Sequence, residues 1–129
     1  MRKQYFFRPS ERGLLAWDVH RLIELSRNFP QETVALDTLQ TLDERWAGAD
    51  EPPTWRTMVE HMRLIQEADL SFPIILSASG EVMDGRHRVA RAALEHRTHI
   101  AAVRFWIDPE PDHVGLEPGE LSYESSPGG

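Results

Sequence analysis

The run Val82-Met83-Asp84-Gly85-Arg86-His87-Arg88-Val89-Ala90-Arg91-Ala92-Ala93-Leu94 constrains this chain more than any other stretch. It reads as a strand that passes through a glycine turn into a positively charged helix start. A helix begins with backbone N–H groups that have no partner inside it and with the positive end of its macrodipole. An anion placed there gains hydrogen bonds and charge compensation together. Gly85 lets the backbone approach closely, and Arg86, His87 and Arg88 bring side-chain donors to the same spot.

The flanking residues fit one alternating α/β layout. Phe72 to Ala78 has strand character, Ser79-Gly80 a tight turn, and Glu81-Val82-Met83 the hairpin partner. Asp84 is placed to cap the next helix, which should end near His96, and Ile100 to Ile107 forms a last strand. Upstream, residues 14 to 28 show a helical period, with Leu14, Leu15, Val19, Leu22, Ile23 and Leu25 on one side. Phe29-Pro30 stops that helix. Glu32 to Leu36 reads as a short strand entering a helical turn over residues 37 to 42. Residues 43 to 53 form a polar loop broken by glycine and prolines. Thr54 caps a further helix running to about Ala68, with Met58, Met62 and Ile65 turned inward.

Length and composition match one domain: 129 residues, 40% of them hydrophobic. A net charge of −7 argues against a protein that holds DNA or RNA by a broad basic surface. Positive charge is nonetheless concentrated locally, in Arg86, Arg88, Arg91, Arg97 and Arg104. There is no cysteine, so disulfides, thiolate metal sites and cysteine nucleophiles are excluded. The first nine residues lack the apolar run of a signal peptide, and no stretch approaches a membrane span, so a cytoplasmic protein without a membrane partner is expected. From Asp108 onward the composition turns acidic and proline-rich, which predicts a largely disordered tail.

The segment Asp84-Gly85-Arg86-His87-Arg88 resembles the phosphate-binding turn of the ParB/sulfiredoxin superfamily, in which a strand leads into a Gly-x-x-Arg helix start. Its variants include Gly-Cys-His-Arg in sulfiredoxins and Asp-Gly-His-His-Arg in free serine kinases. Phe72 to Leu76 before the turn and Thr98 to Phe105 after it look like the flanking strands of that family. The resemblance covers about residues 32 to 105. It implies an α/β (α+β) fold with a small mixed sheet and surrounding helices. Residues 1–30 would add an N-terminal helical extension, residues 31–107 the nucleotide-binding domain and residues 108–129 the acidic tail.

By that resemblance, Gly85 supplies backbone donors and Arg88 grips a phosphate oxygen. The bland alternative is a tight hairpin exit with Arg88 in solvent. His87 matches the histidine of both family variants and is a candidate phosphate ligand or acid–base group, or simply a polar residue at a helix start. Asp84 either caps the helix, coordinates Mg²⁺ beside a nucleotide, or takes a proton from an attacking hydroxyl. Arg86 stands where sulfiredoxins carry their nucleophile, a departure that removes that reaction; its side chain either contacts the phosphate or points to solvent. Arg91 widens the basic patch or pairs with Glu95 four residues on. In free serine kinases a glutamate after the first strand is the catalytic base; Asp43 and Glu44 occupy a comparable place in chain order. Trp46, Trp55 and Arg56 are candidates for the walls of a base pocket, or for packing. His20, His61, His96 and His99 show no metal-ligand pattern, and no structural zinc is expected.

The expected function is therefore binding of a nucleotide (ATP, ADP or CTP) with Mg²⁺ at residues 84–88. Phosphoryl transfer to a small-molecule or protein acceptor, or nucleotide hydrolysis, is the chemistry that suits these parts. Alternatives are a nucleotide-responsive binding module without turnover, and a ParB-like DNA nuclease, which the acidic balance disfavours. Oligomeric state, pathway and the choice of nucleotide are not legible in the sequence.

Overall fold

The strands separate into two sheets in the computed structural model, which describes residues 4–44 and 54–123. The first is antiparallel and has β1 (Tyr5–Arg8) and β7 (His113–Val114) on either side of β2 (Leu15–Asp18). The second is mixed and four-stranded, in the order β3 (Glu32–Ala35), β6 (His99–Arg104), β4 (Ile74–Leu76), β5 (Val82–Asp84). Its β4 runs parallel to β6 and antiparallel to β5, while β3 is antiparallel to β6. Three helices complete the fold: α1 (Val19–Ser26), α2 (Trp55–Glu67) and α3 (Arg86–Leu94). The chain has the expected α+β architecture with a small mixed sheet.

Side-chain alternation along the strands divides the core into two layers. Ile74, Leu76, Val82, Ile100 and Ala102 face Val89 and Ala92 of α3 together with Leu36 and Leu39. Ile75, Met83, Val103 and Phe105 face the other way, onto Phe6, Leu15, Trp17 and Leu22. The four-stranded sheet is thus covered by α3 on one side and by the N-terminal hairpin with α1 on the other. Ile74, Leu76 and Val89 are fully buried, each contributing about 1.5–3 kcal/mol by removal from water. The turn at residues 84–88 is anchored through these side chains.

The N-terminal segment departs from the expected helix over 14–28. Residues 15–18 are strand, and α1 starts only at Val19, where the Asp18 carboxylate accepts from the His20 amide. Leu15, Ala16 and Trp17 fit a helical stripe by spacing, but pairing with β1 and β7 buries all three at once. Tertiary pairing overrides local period here. The N-terminal addition is therefore a hairpin followed by a helix.

The tail also departs from expectation. Trp17, 1% exposed, donates its indole N–H to the Pro109 carbonyl at 2.7 Å. Asp112 accepts from the Asp18 amide and from Arg21, both within 2.9 Å. His113–Val114 adds β7, and Leu121 is buried beyond a 3-10 turn at Pro118–Glu120. The acidic and proline-rich composition hid this role, because the tail is held by polar groups that satisfy buried donors rather than by apolar bulk. Residues 124–129 lie outside the described residues.

Candidate functional site

Gly85 is the pivot between β5 and α3. It is the N-cap of α3 in the left-handed region, φ +109°, and no side chain caps this helix. A Cβ at this position would stand 2.6 Å from Ile74 Cγ2 and 2.9 Å from an Arg88 terminal nitrogen. Backbone conformation and packing therefore both require glycine. The glycine sends the chain from strand to helix in a single residue.

That pivot changes the expected role of Asp84. It is the last residue of β5, not the cap, and its Oδ2 accepts from Arg88 at 2.9 Å. Both side chains are mostly buried, Arg88 at 19% and Asp84 at 17% exposure. Arg88 folds back over Gly85, and its Nε is buried without a hydrogen-bond partner. The Asp-Gly-x-x-Arg pattern is thus, in the first instance, an ion pair that ties the end of the strand to the first turn of the helix. Arg88 lines neither of the clefts that flank α3.

Two clefts meet at this first turn. The larger, about 660 Å³, is lined by Arg86, His87 and Ala90 of α3, by Met58, His61, Met62 and Ile65 of α2, and by Phe7 and Leu42. The smaller, about 360 Å³, is polar, with Thr38, Gln40, Ser79, Glu81 and Arg104 among its walls. Thr41, Glu44 and Arg86 belong to both. Glu44 Oε1 lies 3.7 Å from Arg86 Nε, and the Arg86 guanidinium sits over the Phe6 ring at 5.9 Å. The sequence-predicted Gly85, Arg86, His87 and Glu44 are therefore brought together at one place, with Asp84 and Arg88 directly beneath.

The α2 wall holds the residue that sequence spacing missed. His61 Nδ1 is 3.0 Å from His87 Nε2, with the rings inclined by 32°. Thr54 caps α2 as expected, through a reciprocal box with Thr57. Met58, Met62 and Ile65, expected inward, line the open cleft instead, and no residue of α2 is buried. Helical period shows which side chains share a face but not what that face meets. The signal that was legible, apolar residues in register with a histidine, had no visible partner until α3 was placed beside it.

Other candidates lie elsewhere. Arg91 bonds Glu95 at 2.6 Å and also donates to the Gln66 carbonyl, lining a hollow with Glu67, Asp69, Glu95 and Arg97. It is a link between α3 and α2 rather than an extension of the turn. In that hollow Glu95 is held below its ordinary pKa by hydrogen bonds from Arg97 and then Arg91, and Asp69 likewise by Ser71. Trp55 is 80% exposed and lines neither cleft. His96 ends α3 in the left-handed region, φ 58°, in a Schellman arrangement where Arg97 N–H reaches the Ala92 carbonyl. Trp46 lies outside the described residues. No described helix is long and apolar enough to cross a membrane.

For Mg²⁺, Asp84 is a poor seat, since its carboxylate is already compensated by Arg88, whereas the ion takes an octahedral set of oxygens. No family model, curated protein or solved structure matches the chain.

Proposed function

We propose that the protein binds a nucleotide with its phosphates at the first turn of α3 and its base in the larger cleft. The observation that carries this is the uncapped helix start at Gly85, which opens beside Arg86 and His87 onto a cleft of about 660 Å³. Helix N–H groups and a guanidinium suit phosphate oxygens. The Met58, Met62 and Phe7 walls suit a flat, polarisable base. The likeness of residues 84–88 to the ParB/sulfiredoxin turn points the same way. In this assignment Arg86 and His87 contact the ligand, while Asp84 and Arg88 hold the turn in shape.

Phosphoryl transfer or hydrolysis would fall to Glu44. Its carboxylate faces both clefts, so it is placed to take a proton from a hydroxyl or water in the polar one, while Arg86 offsets charge on the transferred group. One observation favours the second reading, a nucleotide-responsive module without turnover: the Asp84 carboxylate is committed to Arg88. Calorimetric titration with ATP, ADP and CTP, for the full chain and for Arg86→Ala, tests binding. Tight binding that weakens in the variant supports the assignment; no binding of any of the three refutes it. Product release by the full chain, lost in Glu44→Gln, separates enzyme from switch.

A further inference from the structure

We propose that His61 and His87 form a two-imidazole site for a late first-row transition-metal ion such as Zn²⁺, Co²⁺ or Ni²⁺. The two nitrogens come from different helices, α2 and α3, and approach to 3.0 Å. Bonds of about 2.05 Å to both, across that gap, subtend about 94° at an ion. That is near the right angle of octahedral coordination, and an opening of a few tenths of an ångström reaches the tetrahedral angle. Imidazole selects these metals over Mg²⁺, whose oxygen ligands are not found here.

The surroundings suit such an ion. Arg86, the nearest cationic side chain of the cleft, turns its guanidinium toward Glu44 and the Phe6 ring. Among the described residues no group of three histidine or carboxylate side chains forms a closed metal site. The ion would keep open positions toward the cleft, for water or an anionic ligand, as reactive metal sites do. In the metal-free protein the two rings share one N–H between the facing nitrogens. On metal binding that proton moves to the far nitrogen of its own ring, so both facing lone pairs reach the ion and each imidazole stays neutral. The site also clamps α2, which buries no side chain of its own, to the first turn of α3.

This assignment stands apart from the nucleotide reading, because its test uses the metal alone. The full chain, treated with chelator, is titrated with ZnCl₂ by calorimetry and with CoCl₂ by visible absorption, beside His61→Gln, His87→Gln and His99→Gln. One equivalent should bind. Affinity should fall by at least about tenfold in the first two variants, more than loss of an outer-shell partner costs, and should be unchanged in the third. Because either substitution could disturb the helix pair, the unmodified chain is also treated with diethyl pyrocarbonate. Zn²⁺ should protect His61 and His87 from modification, as read by peptide mass spectrometry. No stoichiometric binding, or binding unchanged in both variants, overturns the site, as does protection confined to other histidines.

Discussion

Replacing Gly85 by alanine should destabilise the protein more than any other single-methyl addition at a described glycine of the four-stranded sheet. Two costs add. Holding a non-glycine residue at φ +109° strains the backbone by about 1–3 kcal/mol. The new methyl, 2.6 Å from Ile74 Cγ2, must displace a fully buried side chain in a packed layer, about 1–3 kcal/mol more. The total, about 2–5 kcal/mol, is a large part of the stability of a domain this size. It corresponds to a fall in Tm of about 6–20 °C. Urea unfolding followed by tryptophan fluorescence measures it, with Gly119→Ala as control, since a Cβ there meets nothing within 4 Å. A Gly85→Ala variant within about 0.5 kcal/mol of the parent, the range of ordinary surface changes, would refute the geometry on which the turn rests.

Further outcomes follow from neighbouring contacts. A double-mutant cycle of Asp84→Asn and Arg88→Ala should give a coupling of about 0.5–3 kcal/mol, and additivity would show that the pair does not lock β5 to α3. Asp84→Asn should retain nucleotide binding if the carboxylate only positions Arg88; abolished binding with the fold intact would make it a ligand. Glu95 is held below its ordinary pKa of 4.5, first by Arg97 and then by Arg91. Its stabilising effect is complete above that value and is lost as pH falls through the lowered pKa. Glu95→Gln should therefore be less stable than the parent at neutral pH, with the gap closing in acid; a gap independent of pH would contradict this. Ending the chain at Asp108 removes the acceptor of the Trp17 indole and the β7 pairing. Tryptophan emission should then shift to the red and stability fall, whereas unchanged emission would mean that the tail is not part of the core.

What the sequence made legible was local. Gly85, Gly80, Thr54 and the short apolar strands announce themselves through residue chemistry that acts within a few positions: positive φ at Gly80 and Gly85, the hydroxyl cap at Thr54. The clustering of Gly85, Arg86 and His87 follows from the same locality. Misreadings came where partners are far apart in the chain. Leu15 to Trp17 looked helical because β1 and β7, which make them a central strand, lie on either side in space but nearly a hundred residues apart in sequence. Asp84 looked like a cap because aspartate before a helix usually is one; the extra turn of backbone at Gly85 hands it to Arg88 instead. His61 had no role until α2 lay along α3, and no pattern of residue types encodes that meeting.

The central claim is that the first turn of α3 receives phosphate. Backbone amide shifts of the full chain, followed by NMR during titration with ADP and separately with adenosine, test it most directly. Phosphate-dependent shifts at the amides of Arg86, His87 and Arg88, seen with ADP and absent with adenosine, are the predicted result. Equal shifts with both ligands, or an ADP response that leaves these three amides unmoved, would contradict it.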